Sequence, residues 1–588
     1  MASQATTAAP SETSEPQLEP IKSTKSNRLH KVESPEERAA KLELAQQEGH
    51  DADIPSNIGY VLSEEGERKR RQSITLRKSE AGNRPSLAKD VEKTAPGAGD
   101  QDVSESTTDD ENDPDVVWWD GPDDPENPMN WPAWRKMVNC GLISAITFVT
   151  PLASSMFAPG VPEVMVDFES SSNTLASFVV SVYVLGFAAG PMLFAPLSEI
   201  YGRTIVYHIS NVGFVAFLLG SALAPTMNSL IAFRFLSGLF GSTPLTNGGG
   251  SIADMIPQDR RAAWMAVFSL GPLMGPIVGP VVGGFVSGGP GWRWCFWILT
   301  ITAGVIAIAM LIFLKETYAP VILERKAERK RKETGNSAIR SKLDVGLSPA
   351  DYFKKGIVRP FVMLAKSPIC LIFSLYIAVV YGYLYLMFTS ITSIFLQTYG
   401  FSTSTVGLTF LGLGIGSLLG LAYYSITSDK YMKKRFKEDN DRLAAEGKEL
   451  LENPKPEYRL PPLMLGAPLL PIGLFIYGWT AEYGVHWIVP ILGTCIVGAG
   501  NLVIFMALQL YLVDAFHMYA ASALAGNTVV RSIAGGVLPL AGLPLFDSLG
   551  VGWGNSVLGF IATAMLPAPF FILKYGERMR MKFEFKDL

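Results

Sequence analysis

The stretch Gly271–Gly284, which reads GPLMGPIVGPVVGG, has a glycine at every fourth position and a proline directly after three of them. It lies in an uncharged run at 262–287, long enough to cross a bilayer, which requires roughly 20 apolar residues as a helix. A spacing of four keeps the glycines on one helix face, where another helix can approach closely. Each proline removes a backbone donor and bends the helix. The pattern predicts a bent, closely packed transmembrane helix built on Gly271, Gly275, Pro276, Gly279, Pro280, Gly283 and Gly284.

Eleven other apolar runs also reach the length that a bilayer requires. The twelve predicted spans lie at about 137–158, 174–195, 204–224, 229–252, 262–287, 294–314, 367–396, 404–425, 462–481, 487–512, 518–546 and 551–573. Lysine and arginine collect in alternate connections, and basic connections mark the cytosolic side, so both termini are expected to be cytosolic. A long basic connection divides the spans into two groups of six. The predicted fold class is therefore an all-α membrane protein with two six-helix halves.

The N-terminal region is rich in Ser, Glu, Lys, Thr and Pro and is too polar to offset its ordering entropy, so we predict a long disordered tail. Within it, Ser73 follows a run of basic residues and is a candidate site for a basic-directed kinase. The simpler interpretation is a solvated charge run near an anionic membrane surface. The predicted domains are a disordered cytosolic tail (1–115), a lead-in segment (116–136), an N-terminal half (137–314), a basic cytosolic linker (315–366), a C-terminal half (367–573) and a cytosolic C-terminal tail (574–588).

Three strings resemble signatures of one known family. GPIVGPVVGG at 275–284 resembles the fifth-helix antiporter motif of the major facilitator superfamily, and PLSEIYGR at 196–203 resembles the loop signature that follows its second helix. DPENPMNWP at 124–132 resembles the segment that precedes the first helix in the family's fungal drug:proton antiporters. The resemblance covers roughly 125–580 and implies the major facilitator fold with twelve transmembrane helices.

The resemblance also implies an activity. It implies a monomeric carrier in the plasma membrane that exports drugs, antifungals, toxins or polyamines by alternating access, in exchange for protons. Its partners would be small molecules, protons and the lipid bilayer. The alternative within the same fold is the proton-coupled uptake of a small nutrient, although importers usually lack the glycine–proline pattern of the fifth helix.

Other classes of protein find little support in the sequence. There is no GxxxxGK[ST] phosphate loop, so ATP-driven pumping by this chain alone is not expected. The 5 histidines show no paired ligand spacing, and the 4 cysteines lie inside apolar runs, where they act as small buried hydrophobes. We therefore expect no enzymatic activity, no metal, no cofactor and no nucleic-acid partner.

The loop after the second span carries Glu199, Gly202 and Arg203. In the resembling family this loop is a cytosolic latch, so we expect Gly202 to permit a tight turn and the two charged residues to pair with the other half. The string SEIYGR at 198–203 is echoed by SDKYMK at 428–433, after the eighth span. The echo predicts two repeated halves, although an acidic residue followed by basic ones is not rare in a cytosolic loop.

Two arginines lie within predicted spans, Arg234 in the fourth and Arg531 near the centre of the eleventh. Because a charge in a membrane is costly, each should face a cavity or a partner. Arg234 resembles an arginine that assists proton transfer in the family, but an arginine stays protonated and cannot itself carry the proton. No span has a central acidic residue, so the candidates for proton coupling are Asp254 and Asp514, at matching ends of the fourth and tenth spans, with Glu163 and Asp167 at the outer mouth as the alternatives.

The candidates for a substrate cavity are polar or aromatic residues of the seventh and tenth spans, namely Tyr376, Tyr381, Tyr385, Asn501 and Gln509. Aromatic faces can hold flat or cationic compounds, although ordinary packing explains any single tyrosine equally well. Finally, we expect the glycine stripe of the fifth span to be the surface on which the two halves meet when the outer mouth closes.

Overall fold

The computed structural model describes residues 115–582 with the exception of 345, 347, 449, 452, 517 and 518. The predicted disordered tail, its candidate phosphorylation site Ser73 and the last six residues of the chain lie outside the described residues.

The N-terminal half is a bundle of six spans. Two of them are interrupted: span 1 is divided by a 3-10 turn at Ala158–Gly160, and span 4 is divided at Ser242. The bounds are Ala133–Ser155 with Val161–Asp167 for span 1, Asn173–Tyr201 for span 2, Arg203–Ala222 for span 3, Met227–Gly241 with Thr243–Met255 for span 4, Gln258–Ser287 for span 5 and Arg293–Phe313 for span 6.

The C-terminal half repeats this arrangement. Its bounds are Pro368–Tyr399 for span 7, Thr403–Ala445 for span 8, Pro461–Gly466 with Leu469–Glu482 for span 9 and Ile488–Phe516 for span 10. Spans 11 and 12 form one continuous stretch, Ala520–Met565, which is followed by Pro567–Lys582. Gly550 separates these two spans because its backbone is not helical (φ 77°, ψ 165°).

Ten stretches of the described residues are long and apolar enough to cross a membrane. Span 4 is not among them because its two pieces have only 15 and 13 residues. Spans 11 and 12 together make a single stretch of 63 residues, Ala520–Lys582. With span 4 added and this stretch divided at Gly550, the described chain crosses the membrane twelve times, as the sequence predicted.

One end of the bundle carries the lead-in segment and the linker, and we call it the linker side; the opposite end is the far side. The linker forms two helices, the first linker helix (Ala319–Thr334) and the second linker helix (Pro349–Lys366). Two short strands, β1 (Val116–Val117) and β2 (Arg340–Ser341), pair in parallel and tie the lead-in segment to the linker. This pairing is a small addition to the predicted all-α fold.

Ion pairs hold the same two segments together. Lys326 of the first linker helix lies 2.9 Å from carboxylate oxygens of both Asp120 and Asp124. The Asp124 carboxylate also accepts the backbone N–H groups of Asp120 and Glu126, both at 2.8 Å. Burial acts to raise the pKa of Asp124, but these donors outweigh it and hold the pKa below its ordinary value. The lead-in segment is thus held against the linker by ion pairs and by the pairing of β1 with β2.

The glycine stripe of span 5 packs against span 1, in the same half; its members are Gly271, Gly275, Gly279 and Gly283. A β-carbon at Gly275 would lie 2.8 Å from the backbone nitrogen of Leu152, and one at Gly283 would lie 1.7 Å from the carbonyl oxygen of Met156. The expectation that this stripe joins the two halves was therefore wrong. Its spacing of four keeps all its members on the face that turns toward span 1.

The neighbouring face of span 5 makes the contact between the halves. A β-carbon at Gly284 would lie 2.9 Å from the α-carbon of Gly407 in span 8, and one at Gly414 would lie 2.3 Å from the side chain of Ile277. Spans 2 and 11 also meet across the halves, where the Ser181 hydroxyl donates to the Gly536 carbonyl at 2.8 Å. Span 5 therefore has one face fixed within its half and one face turned to the other half.

We predict that Gly283→Ala lowers the stability of the folded bundle, because the new methyl group overlaps the backbone of span 1. Overpacking of this kind typically costs about 1–3 kcal/mol. Thermal unfolding of the detergent-solubilised protein, together with its surface abundance in cells, measures the loss. Gly304→Ala in span 6 is the matched control, since nothing lies within 4 Å of its β-carbon position. Equal melting temperatures for the two variants would contradict this packing.

Candidate functional site

Arg234 of span 4 is fully buried, with 0% of its surface exposed. Its Nε donates to the carbonyl of Val179 at 2.6 Å, and its Nη atoms donate to the carbonyls of Ala153, Ser154 and Val180 at 3.1–3.4 Å. In the described part of the chain, no carboxylate forms an ion pair with this guanidinium. Backbone carbonyls of spans 1 and 2 therefore stabilise the charge.

Two of these carbonyls, those of Ala153 and Ser154, are available because span 1 breaks beside Arg234, whereas those of Val179 and Val180 lie within the continuous helix of span 2. Its first helix ends at Ser155, and the last carbonyl groups of a helix accept no hydrogen bond from the helix itself. The end of the helix also carries partial negative charge, which stabilises a nearby cation. The rings of Phe157, Tyr183 and Phe296 surround the guanidinium, with centroids 5.1–5.6 Å from its carbon. Arg234 thus caps the broken end of span 1.

Arg531 of span 11 has a different environment. Its guanidinium carbon lies 5.1 Å from the ring centroid of Tyr381 in span 7 and 5.3 Å from that of Phe505 in span 10. Its Nε is buried and donates to no acceptor among the described residues. The exposed side chains of span 11, such as Ile533 and Val537, are on the other side of the helix, since each residue advances the direction by roughly 100°. Arg531 therefore faces the bundle interior.

A chain of contacts joins the two arginines across the halves. The Tyr385 hydroxyl lies 3.0 Å from the Ser154 hydroxyl, whose backbone carbonyl accepts from Arg234. The ring of Tyr385 lies 5.1 Å from the ring of Tyr381, which in turn contacts Arg531. We call these residues the central cluster: Ser154, Arg234, Tyr381, Tyr385, Phe505 and Arg531.

The other predicted cavity residues lie around this cluster in different roles. Tyr376 is 1% exposed and belongs to the apolar core of the C-terminal half. The side-chain amide of Asn501 donates to the Val380 carbonyl at 2.9 Å and so joins spans 10 and 7. Gln509, one helical turn from Phe505, has a buried side-chain oxygen that accepts no hydrogen bond from the described residues. Of these three, Gln509 is the one with a buried side-chain atom that lacks a hydrogen-bond partner among the described residues.

On the linker side, Arg203 forms an ion pair with Asp254, with 3.4 Å between Nε and the carboxylate. It also donates to the Ser198 hydroxyl at 2.8 Å and stacks on the ring of Tyr318 at 4.7 Å. All these partners belong to the N-terminal half or follow it directly. The expectation that Arg203 pairs with a charge on the other half was therefore wrong.

The C-terminal half holds a matching ion-pair cluster around Arg459, which the sequence analysis did not identify. Arg459 lies 2.9 Å from Asp514 and 2.8 Å from Asp429, and it donates to the Ser428 hydroxyl at 3.4 Å. Arg459 is therefore the counterpart of Arg203. Span 8 continues as one helix to Ala445, which carries Lys433 away from the cluster on an exposed surface. The signal that would have found Arg459 is its position before span 9, as Arg203 begins span 3.

Asp254 and Asp514 occupy equivalent positions in these two ion-pair clusters. Each carboxylate already has an arginine partner, and the central cluster contains no acidic residue. The structure leaves their role in proton coupling as a prediction.

Glu199 faces the second linker helix. Its charge acts on Arg359, whose guanidinium also lies 5.3 Å from the ring centroid of Tyr519 at the start of span 11. Burial lowers the pKa of Arg359 below its ordinary value, while the nearby Tyr519 and the carboxylate of Glu199 oppose that shift. Glu199 is thus the loop residue that faces toward the C-terminal half.

Gly202 makes the sharp turn between spans 2 and 3, with φ 101° and ψ 157°, a region that is almost confined to glycine. The turn brings Glu316 onto the start of span 3, where its carboxylate accepts the backbone N–H groups of Arg203 and Thr204 at 2.9 and 3.2 Å. A β-carbon at Gly202 would lie 2.2 Å from this carboxylate. Gly202 therefore forms a turn, as predicted from the sequence, whereas Glu316, which follows span 6, was not predicted as a functional residue.

The geometry of two six-span halves around a central polar cluster agrees with the comparisons to known proteins. The family model of the Major Facilitator Superfamily matches residues 143–539. The chain belongs to this superfamily. The chain is 54% identical over 473 residues to the MFS-type transporter tndD of Aspergillus flavipes, covering 80% of this chain and 87% of that relative.

The chain is also similar to a protein named an efflux pump, and it shares its fold with a solved transporter structure. It is 52% identical over 470 residues to the efflux pump radE of Floropilus chiversii, covering 80% of this chain and 86% of the pump. A solved structure of the xylose transporter XylE from E. coli, in a partially occluded inward open conformation, shares the fold. It has a TM-score of 0.55 and 16% identity over 75% of this chain and 98% of that one. The chain is therefore a multi-pass membrane transporter and not an enzyme, as the resemblance implied.

We predict that Gly202→Ala destabilises the linker side, because alanine at this φ and ψ costs about 1–3 kcal/mol and its methyl group displaces Glu316 from span 3. Gly291→Ala is the control matched in φ. Gly291 has a φ of 97°, but nothing lies within 4 Å of its β-carbon position. Melting temperatures of the two purified variants measure the difference. If both fall equally, the contact with Glu316 has no part in the stability.

Proposed function

We propose that this transporter exports small organic compounds, such as toxins, antifungals or other drugs, across the plasma membrane in exchange for protons. The observation that carries the proposal is the contact of Gly284 with Gly407, through which the glycine–proline sequence of span 5 meets the other half. That sequence resembles the antiporter motif. The 52% identity to a protein named an efflux pump supports the outward direction.

The proposed orientation places the linker side in the cytosol. Lysine and arginine are abundant in the linker helices and in the extension of span 8, and such residues collect on the cytosolic side of membrane proteins. Both termini would then be cytosolic. The carrier would act as a monomer, and a basic-directed kinase would act on Ser73 of the cytosolic tail.

The proposed mechanism is alternating access, in which the two halves rock around a site between them. In the present arrangement Gly284 and Gly407 bring the far-side ends of spans 5 and 8 together. The hydrogen bond from Tyr385 to Ser154 joins the halves at mid-membrane. Opening of the far side requires both contacts to separate, while the contacts of the glycine stripe within the N-terminal half remain.

Proton coupling would act on the linker side. Protonation of Asp254 or Asp514 removes the negative charge that holds Arg203 or Arg459. Because the two ion-pair clusters brace the linker-side ends of their own halves, loss of either pair would loosen the helices that must move when this side opens. This gives the two acidic residues a role without placing them at the substrate.

Cells that express the chain should accumulate less of at least one compound, from a panel of fungal metabolites, than cells that lack the chain. Collapse of the proton gradient with a protonophore, at constant cellular ATP, should abolish the difference, since the gradient supplies the free energy. Accumulation of labelled compounds measures the effect. Gly284→Leu should reduce export at unchanged surface abundance, with Gly304→Leu as the control.

Two outcomes would contradict the proposal. Transport that survives the protonophore and stops when ATP is depleted would exclude proton coupling. Higher accumulation in the expressing cells would favour the alternative, uptake of a nutrient.

A further inference from the structure

The charges of the central cluster are both positive. Arg234 and Arg531 contribute two guanidinium groups, and the described residues of the cluster include no carboxylate. A cationic compound brought into this site would meet like charge and no counter-charge, in an environment where charges are weakly screened. The site therefore disfavours the polyamines and other organic cations that the sequence analysis included among possible substrates.

The two arginines differ in what their donors do. Arg234 uses its Nε and both Nη atoms on four backbone carbonyls, so its charge stabilises the broken end of span 1. Arg531 keeps a buried Nε without an acceptor, and its guanidinium is held by the two aromatic rings of Tyr381 and Phe505. A buried donor without an acceptor is unfavourable, and the rings satisfy the faces of the guanidinium but not its N–H edge.

The edge of Arg531 matches a carboxylate. Its Nε–H and the adjacent Nη–H form a planar fork that can donate two parallel hydrogen bonds to one anionic group. The rings of Tyr381 and Phe505 lie beside this fork and offer apolar faces to a flat body attached to the anion. Arg531 is half-buried and its Nε is buried, so binding at the fork requires the neighbouring side chains to move apart.

Other polar groups without partners lie near this position. The side-chain oxygens of Gln509 and Asn527 are buried and accept no hydrogen bond from the described residues. Spans 10 and 11 are antiparallel and Phe505 contacts Arg531, so Gln509 and Asn527 both lie one turn from that contact toward the linker side. They are suited to bind hydroxyl groups on the same compound.

We propose that Arg531 anchors the anionic group of the exported compound, and that the substrates are aromatic or polycyclic organic acids with hydroxyl groups. The inference rests on the proposed function of export, and it adds the chemical class of the substrate. Gln509 and Asn527 position the compound, and Arg234 holds spans 1 and 2 in place beside the site.

Ligand binding to the purified full chain in detergent, near neutral pH and without any proton gradient, tests this class directly. The probes are anthracene carboxylate, its methyl ester and aminomethylanthracene, which share one aromatic body and differ in charge. Binding is measured by isothermal calorimetry and by the shift in melting temperature. The carboxylate should bind at least about tenfold more tightly than the ester, as expected for hydrogen bonds to a charged group, and the ammonium compound should bind weakest.

Substituted chains identify the anchor. Arg531→Gln should remove the preference for the carboxylate and leave the affinity for the ester within about twofold, since the rings that hold the aromatic body remain. Arg531→Lys should keep part of the preference, because lysine retains the charge but not the planar fork. Lys433→Gln, which removes an exposed cation of span 8, is the control and should change nothing. The melting temperature without ligand confirms that each variant is folded.

Equal affinity for the three probes, failure of the carboxylate to bind, or an unchanged preference in the folded Arg531→Gln protein would each overturn the inference. Because the assay uses no gradient and measures no transport, it is independent of the test of proton-coupled export. Binding that selects the carboxylate without any export in cells would refute the proposed function and leave the substrate class standing.

Discussion

A full positive charge buried in a membrane has to be stabilised locally, and in this protein Arg234 is that charge. An arginine at the centre of a transmembrane helix costs at least about 2.5–3.5 kcal/mol unless it is satisfied. Four backbone carbonyls satisfy it, and two of them belong to the end of the first helix of span 1, at Ser155. The charge therefore binds spans 1, 2 and 4 into one unit. The glycine stripe of span 5 then adds a fourth helix, since its backbone contacts span 1 over Gly275–Gly283.

In the proposed mechanism, the same helix carries the contact at which one half separates from the other. The face of span 5 that contains Gly284 meets Gly407 without side chains between them, so this contact holds the halves together by close fit alone. A contact of this kind can separate without leaving buried polar groups unsatisfied. The paired charges, by contrast, lie within the halves, as in Arg203 with Asp254 and Arg459 with Asp514.

The sequence predicts the features that depend on local pattern. The twelve spans, the turn at Gly202 and the buried arginines follow from hydropathy, glycine spacing and the rarity of charge in a membrane. It does not predict which helix faces which, because a stripe of glycines identifies a close contact but not its partner. The sequence also does not predict the role of Arg459. Nothing in the string SDKYMK indicates that span 8 continues to Ala445, or that the Arg459 side chain lies beside Ser428. Glu316 was missed because its partners are backbone N–H groups.

If the proposed mechanism holds, span 5 stays fixed to span 1 and moves against span 8. Distances between spin labels test it, after replacement of the 4 native cysteines, at the exposed positions Phe285 of span 5, Leu408 of span 8 and Val166 of span 1. Pulsed electron resonance on the reconstituted protein, with and without Gly284→Leu, gives the distance distributions. In the substituted protein, the distribution of distances from Phe285 to Leu408 should gain a longer population. The distribution from Phe285 to Val166 should keep one narrow peak. Equal broadening of both distances, or a fixed distance between Phe285 and Leu408, would contradict the proposed mechanism.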